Sequence, residues 1–150
     1  MLEMDGLEPL NFPDFGFRVR VKGQIREIFD VVRRKFVPLT PEEWVRQNLI
    51  RFMQEAYHYP VSRMAVEKQV KVNGLSQRAD VVVYDAEGKP WLIAECKSTS
   101  VALDEDVFLQ AARYNMTLRV PFVVLTNGLE HVCMRLDTDG VEYMDALPAL

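Results

Sequence analysis

The chain has 150 residues, of which 49% are hydrophobic and 27% charged, and its formal net charge is −4. This length and composition are typical of one globular domain with its own core. No run approaches the ~20 apolar residues that span a bilayer, and the acidic N-terminus is unlike a signal peptide. We therefore expect a cytoplasmic protein that does not associate with membranes, whose cysteines, Cys96 and Cys133, stay reduced.

The negative net charge argues against nucleic-acid binding by bulk electrostatics, but the charges are unevenly distributed. Between Gly16 and Arg51 nine basic residues oppose four acidic ones, which leaves +5 in this segment and −9 elsewhere. Such a basic region can follow a phosphate backbone even on an acidic protein. A solvated protein face explains it equally well, so both interpretations stay open here.

The N-terminal third of the chain contains weak strand signals. We predict that residues 1–14 are a tail and that residues 15–150 form a single domain. Apolar and basic side chains alternate over residues 15–21, as in a half-exposed strand. Residues 25–36 fit a helical stripe as well as paired strands, and we favour a β-hairpin that follows a turn at Gly23-Gln24.

A helix is predicted to begin at Thr40. Threonine suits the N-cap, Pro41 the first helical position and Glu43 the capping-box position. The helix is predicted to run to about residue 57 and to bury Val45, Leu49, Phe52 or Met53, and Ala56.

Glu42 lies three residues before Val45 and seven before Leu49 in this helix, so its carboxylate is expected at the end of the buried face, pointing inward. An ordinary role in capping and in balancing the helix dipole explains Glu42 as well.

The rest of the chain predicts a mixed sheet. The expected elements are strands at 64–72, 79–84 and 91–97, a helix at 104–118, a strand at 122–126 closed by Asn127-Gly128, and a last hairpin at 130–136 and 141–144, with a turn at Asn73-Gly74 after the first strand. Because a helix precedes the strand at 122–126, that strand can join the sheet in parallel. The order helix, three strands, helix, strand predicts an α/β fold with a mixed β-sheet core flanked by helices.

Charged residues lie in two of these apolar strands. A hairpin centred between Glu87 and Gly88 pairs residues whose numbers sum to 175, so that Tyr84 faces Trp91, Val82 faces Ile93, and Asp80 faces Glu95. Strand side chains alternate faces, so Asp80, Val82 and Tyr84 would lie on one face of the sheet. The same face would carry Trp91, Ile93, Glu95 and Lys97.

Opposed residues have Cβ atoms about 4.5–5.5 Å apart, so the carboxylates of Asp80 and Glu95 would repel each other unless a cation lay between them. Oxygen ligands suit Mg²⁺ or Mn²⁺, and Lys97 would lie beside the metal. A structural ion pair of Lys97 with either carboxylate is the simpler alternative, and the spacing alone does not exclude it.

Five short motifs follow one another along the chain: Thr40-Pro41-Glu42-Glu43-Trp44-Val45-Arg46-Gln47, Arg78-Ala79-Asp80, Glu95-Cys96-Lys97, Gln110-Ala111-Ala112-Arg113-Tyr114-Asn115 and Leu125-Thr126-Asn127-Gly128. With them the chain resembles the PD-(D/E)XK nuclease superfamily. More narrowly, residues 17–137 resemble the N-terminal domain of the R subunit of type I restriction enzymes. The resemblance implies a restriction-endonuclease-like fold, here with an N-terminal β-hairpin. Ala79 replaces the proline of the superfamily signature, which shapes backbone rather than chemistry.

The resemblance also implies roles for individual residues. Asp80 and Glu95 would bind Mg²⁺ or Mn²⁺ together with the main-chain carbonyl of Cys96. Lys97 would orient or deprotonate the attacking water and offset charge on the scissile phosphate. Glu42 would hold a second metal or a water, and Glu43 is less suited by its helical phase.

Four further side chains complete the implied site. Gln110, with Tyr114 as a second candidate, would position either the active site or the DNA backbone. DNA contacts are further expected from Arg46, Arg78 and Tyr114.

The expected function is metal-dependent hydrolysis of DNA phosphodiester bonds. Two alternatives remain: a nuclease-fold module that binds nucleic acid or protein without cutting, and a cleavage domain that needs another restriction-system subunit for DNA recognition. The 150 residues contain no GxxxxGK[ST] phosphate-binding sequence, so the resemblance covers the nuclease part and no helicase motor. Cleavage of both DNA strands would need two active sites, as in a homo-oligomer, or two sequential nicks.

Overall fold

A six-stranded mixed sheet forms the centre of the computed structural model, which describes residues 7–72 and 74–150. The elements are β1 (Val19–Lys22), β2 (Ile25–Asp30), β3 (Lys35–Pro38), α1 (Pro41–Ala56), a 3-10 turn (Val61–Arg63), β4 (Met64–Val72), β5 (Leu75–Tyr84), β6 (Pro90–Cys96), α2 (Glu105–Leu118), β7 (Phe122–Thr126), β8 (His131–Asp137) and β9 (Gly140–Met144). Strands β4 to β9 are adjacent in sequence order, and β1, β2 and β3 form a separate antiparallel sheet. The predicted α/β fold with a mixed sheet is confirmed.

The two helices bury opposite faces of the sheet. Strand β6 shows this alternation: Leu92 and Ala94 belong to the core beneath α1, whereas Ile93 packs in the core beneath α2. Helix α2 is the crossover between β6 and β7, which run parallel, whereas the other neighbouring strands in the described sheet are antiparallel. The predicted parallel strand at 122–126 is therefore confirmed.

Helix α1 begins as predicted. The Thr40 hydroxyl accepts a hydrogen bond from the Glu43 amide at 3.0 Å, and Pro41 occupies the first helical position. The capping-box prediction is wrong on its second half, because the Glu43 side chain reaches Arg33, Arg46 and Gln47. Ala56 is exposed rather than buried, since the core contacts of α1 end at Met53.

The N-terminal part of the chain forms strands, as favoured over a helix, although the first strand begins at Val19 and not at residue 15. Residues 25–36 contain β2 and the start of β3, joined by a turn. Of the predicted tail, Leu10 and Phe12 pack against the core beneath α1. The Asn11 amide donates to the Gly128 carbonyl at 2.8 Å, which holds this segment against the loop after β7.

The predicted register between β5 and β6 holds only in part. Pairs formed by residues 81–83 with 92–94 sum to 175, but the register then shifts and Tyr84 pairs with Pro90. The turn explains the shift, because the Asp85 amide donates to the Lys89 carbonyl and closes a five-residue loop. Trp91 consequently packs against aromatic rings in the α1-side core instead of sharing a face with Ile93.

The predicted turn at Asn73-Gly74 lies partly outside the described residues. Asn73 of the predicted turn lies outside them, whereas Gly74 is in a turn with φ of +80°. No helix in the described part of the chain is long and apolar enough to cross a membrane.

Gly128 provides a test of the packing of the N-terminal segment. Its φ is +91°, and a Cβ there would lie 2.8 Å from the Leu10 side chain and 3.0 Å from that of Val45. Gly88 has a φ of +79° but open space around it, so it serves as the matched control. We expect Gly88→Ala to lower the free energy of unfolding by about 1 kcal/mol and Gly128→Ala by about 2–3 kcal/mol, because only the second adds overpacking to backbone strain. Urea denaturation measures both, and equal losses would contradict the packing of Leu10 against α1.

Candidate active site

Asp80 joins the middle of β5 to the end of β6. Its Oδ2 accepts a hydrogen bond from the Cys96 main-chain amide at 2.7 Å. The register that places Val81 opposite Ala94, continued by one residue, puts Asp80 beside Glu95. The sequence therefore predicted that these two carboxylates lie close together, although Asp80 is in the middle of β5 and the ladder between β5 and β6 ends at Val81 and Ala94.

The environment of Asp80 is partly desolvated and rich in charge. Burial raises the pKa of Asp80, an effect opposed by the Cys96 amide and by the positive charge of Arg46. The negative charges of Glu42 and Glu95 raise the pKa further. Several carboxylates thus act on one another in a region where water screens them incompletely.

Lys97 makes an ion pair with Glu95. Its Nζ lies 2.9 Å from Glu95 Oε1, and both side chains are about one third exposed, at 38% and 35%. The hydrogen bond to Glu95 raises the pKa of Lys97, while partial burial opposes that rise. Lys97 is therefore a charged donor in this arrangement. The ion pair considered from sequence is present, at the place where the metal was predicted.

The first turn of α1 differs from the prediction. Glu42 is exposed, whereas Glu43 is only 5% exposed, so the expected inward orientation of Glu42 was wrong. The helical phase was misjudged because α1 also buries polar residues of its first turns, including Arg46 and Gln47. Glu42 nevertheless lies close enough to affect the pKa of Asp80 and of Lys97.

A chain of ion pairs holds the buried Glu43. Arg33, which follows β2, donates to Asp30 at 2.5 Å and to Glu43 at 2.9 Å. The other oxygen of Glu43 accepts from Arg46 Nε at 3.1 Å and from Gln47 at 2.9 Å. Sequence reasoning missed Asp30 and Arg33 and gave Glu43 and Arg46 other roles, although the i,i+3 spacing of Glu43 with Arg46 in a predicted helix was a usable signal.

Of the residues expected to contact DNA, Arg46 and Arg78 lie in contrasting places. The Arg46 side chain is 6% exposed, with its Nη1 atom 3.8 Å from Asp80 Oδ1, so it lies beneath the site and away from the surface. The Arg78 side chain is 68% exposed at the rim and pairs with Glu67 at 3.2 Å.

Helix α2 forms the wall of a cleft beside Glu95. The cleft has a volume of about 280 Å³ and is lined by Gln77, Glu95, Val107, Gln110, Ala111 and Tyr114. Gln110 and Tyr114 are exposed, as expected for side chains that meet a substrate. The Tyr114 hydroxyl donates to the Ser76 carbonyl and so joins α2 to the start of β5. Gln110 is thus brought to the same cleft as Glu95.

Asp80 and Glu95 supply carboxylate oxygens, the kind of ligand atom that Mg²⁺ prefers. Among residues 7–72 and 74–150, no three His, Cys, Asp or Glu side chains are arranged as a ready metal cluster. Mg²⁺ does not require one, because proteins commonly hold it by one or two carboxylates together with water and substrate phosphate. The Cys96 thiol is buried, and burial raises its pKa well above the ordinary value, so it is unsuited to act as a ligand.

Comparisons with known proteins agree with this architecture. A structure of a candidate nuclease of the DUF820 family from Anabaena variabilis ATCC 29413 superposes with a TM-score of 0.50 at 11% identity, over 87% of this chain and 85% of that one. At that identity the likeness concerns the fold alone. No curated protein sequence matches the chain. The family model described as type I restriction enzyme R protein N terminus matches residues 41–148, from the start of α1 to beyond β9. The chain, with its restriction-endonuclease-like nuclease fold, therefore belongs to the family of the type I restriction enzyme R protein N terminus.

Proposed function

We propose that this domain is a divalent-metal-dependent nuclease that hydrolyses phosphodiester bonds in DNA. The observation that carries the proposal is that Asp80, in the middle of β5, bonds to the Cys96 amide at the end of β6, where Glu95 pairs with Lys97 and lines an open cleft. Membership of a restriction-enzyme family makes DNA the favoured substrate. Other restriction-system subunits or a second copy of the chain are the favoured partners, in the cytoplasm.

Asp80 and Glu95 are the residues that would hold Mg²⁺ or Mn²⁺, with the Cys96 main-chain carbonyl as a third ligand. Glu42 would contribute through water or a second cation, since it is exposed yet electrostatically coupled to Asp80. A bound divalent cation would polarise a phosphoryl oxygen and lower the pKa of a neighbouring water.

The remaining residues would bind and orient the substrate. Lys97, a charged donor, would leave Glu95 in part and donate to the scissile phosphate or the attacking water. Gln110 and Tyr114 would contact the DNA from the α2 side of the cleft. Arg78 is exposed enough to meet a backbone phosphate, whereas the buried Arg46 would act through Asp80.

The second candidate function is a nuclease-fold module that does not cut. It is favoured by the engagement of several basic residues in contacts within the protein. Arg18 and Arg20 lie over aromatic rings of the three-stranded sheet, and Arg33 is engaged by carboxylates. These contacts occupy part of the basic region that would follow a phosphate backbone, and strong phosphate binding normally needs several available cations. A partner that supplies DNA recognition would reconcile this with a cutting function.

Replacing Lys97 tests the catalytic assignment. Lys97→Ala is expected to reduce nicking of supercoiled plasmid in Mn²⁺ by on the order of 100-fold or more, because a charge-stabilising donor at the phosphate is lost. Mn²⁺ binding and thermal stability should be retained, since the Lys97 side chain is about one third exposed and is not a proposed ligand. Lys89→Ala, an exposed lysine in the β5–β6 turn, is the matched control and should cut like the unaltered protein. Unchanged cleavage by Lys97→Ala would contradict the catalytic assignment of Lys97.

Calorimetry separates the cutting and inert functions. The unaltered protein should bind Mn²⁺ near neutral pH, and Asp80→Asn should weaken that binding on the order of 10-fold or more, because a charged ligand becomes neutral. Glu87→Gln, an exposed carboxylate in the β5–β6 turn, should leave binding unchanged. If the unaltered protein takes up no Mn²⁺, the inert module is the better description.

A further inference from the structure

Glu67 has an unusual backbone conformation in the middle of β4. Its φ is +53°, in the left-handed region that residues with a side chain rarely adopt, and least of all within a strand. The ladder with β5 pairs Val66 with Val81 and Lys68 with Ala79, so Glu67 lies opposite Asp80 at the point where the pairing is interrupted. Strain of this kind persists where the surrounding structure requires it, and often at functional sites.

The Glu67 carboxylate lies among three arginines. Oε1 is 3.4 Å from Arg46 Nη1, while Oε2 is 3.2 Å from Arg78 Nη2 and 3.8 Å from Arg33 Nη1. The side chain is 40% exposed, so these contacts stabilise the fold only weakly. A weak surface ion pair does not account for a strained backbone. The left-handed backbone places the Glu67 carboxylate against Arg46, which also faces Asp80.

Arg46 Nη1 lies between two carboxylates. It is 3.4 Å from Glu67 Oε1 and 3.8 Å from Asp80 Oδ1, and it is buried without a hydrogen bond to either. The stem of the arginine is held by the bond from Nε to Glu43. A buried donor without an acceptor is costly, so a small change in its surroundings would bring Nη1 into a direct bond with whichever carboxylate remains.

We propose that Glu67 is a positioning residue of the catalytic centre, which holds Arg46 back from Asp80 and so keeps Asp80 Oδ1 able to bind a metal ion. The inference rests on the proposed function insofar as Asp80 is a metal ligand. Asp80 Oδ2 is already engaged by the Cys96 amide, so Oδ1 is the atom that matters. Without the Glu67 carboxylate, Arg46 would bond to Oδ1 and compete with the cation for it.

Two substitutions at Glu67 separate positioning from a structural role. Glu67→Gln keeps the shape and removes the charge, and Glu67→Gly removes the side chain together with the backbone strain. Both should weaken Mn²⁺ binding about 10-fold in calorimetry, while the thermal midpoint of Glu67→Gly stays equal or rises. Glu142→Gln, whose carboxylate pairs with Arg135 at 3.4 Å on the β8–β9 hairpin, is the control and should bind Mn²⁺ normally. A midpoint several degrees lower in Glu67→Gly would show that Glu67 is structural and overturn the proposal.

A double-mutant cycle with Arg46→Gln distinguishes displacement of Arg46 from loss of negative charge. If Glu67 acts by restraining Arg46, Glu67→Gln should weaken Mn²⁺ binding in the native background and have little effect in the Arg46→Gln background. Equal weakening in both backgrounds would overturn the proposal. If the Arg46→Gln protein does not fold, salt dependence decides, because a general charge effect fades between 0.05 and about 1 M NaCl, whereas a direct contact with Asp80 persists.

Plasmid cleavage, measured in parallel, keeps this inference separate from the nuclease proposal. A protein that binds Mn²⁺ through Asp80 without cutting would refute the nuclease while the effect of Glu67 on Mn²⁺ affinity still decides the inference. A native protein that binds no Mn²⁺ would refute the role of Glu67.

Discussion

The burial of the Glu43 carboxylate is the interaction on which the rest of the site depends. A buried charge is tolerated only when it is paired and hydrogen-bonded, and Glu43 receives such bonds from Arg33, Arg46 and Gln47. Arg33 comes from the three-stranded sheet, whereas the other two come from α1. One carboxylate therefore joins the N-terminal sheet to the helix and fixes the arginine beneath Asp80.

The central sheet separates the ion-pair network on its α1 side from the cleft on its α2 side. Because side chains alternate along β6, the same strand contributes Ala94 to the core beneath α1 and Glu95 to the cleft beside α2. The Asp80 carboxylate lies between these regions, bonded to the Cys96 amide and facing Arg46. The α1 side supplies support for the carboxylates, and the α2 side supplies an open approach for a ligand.

The basic residues of the chain are divided between internal contacts and the exposed surface. Many cations of the basic N-terminal segment serve internal pairs or lie over aromatic rings, so the segment contributes less to the outer surface than its +5 excess implies. The exposed side chains that we propose to contact DNA lie at Arg78 on β5 and along α2, at Gln110 and Tyr114. The engagement of Arg18, Arg20 and Arg33 in contacts within the protein is consistent with a cleavage domain whose partner holds most of the DNA.

The sequence by itself determined the features that depend on near neighbours. The N-cap at Thr40, the β5–β6 pairing over residues 81–83 and the crossover helix before β7 follow from capping, alternation and turn chemistry within short stretches. The placement of Asp80 beside Glu95 followed from the same local pattern.

Only the tertiary structure decided which carboxylate of α1 is buried, because that depends on Arg33 reaching across from a separate sheet. It also decided that Arg46 lies inside the protein and that Glu67 adopts a left-handed backbone, since both depend on residues distant in the chain. Local patterns specify elements and their pairing, whereas the partners of a buried charge are specified only when those elements pack.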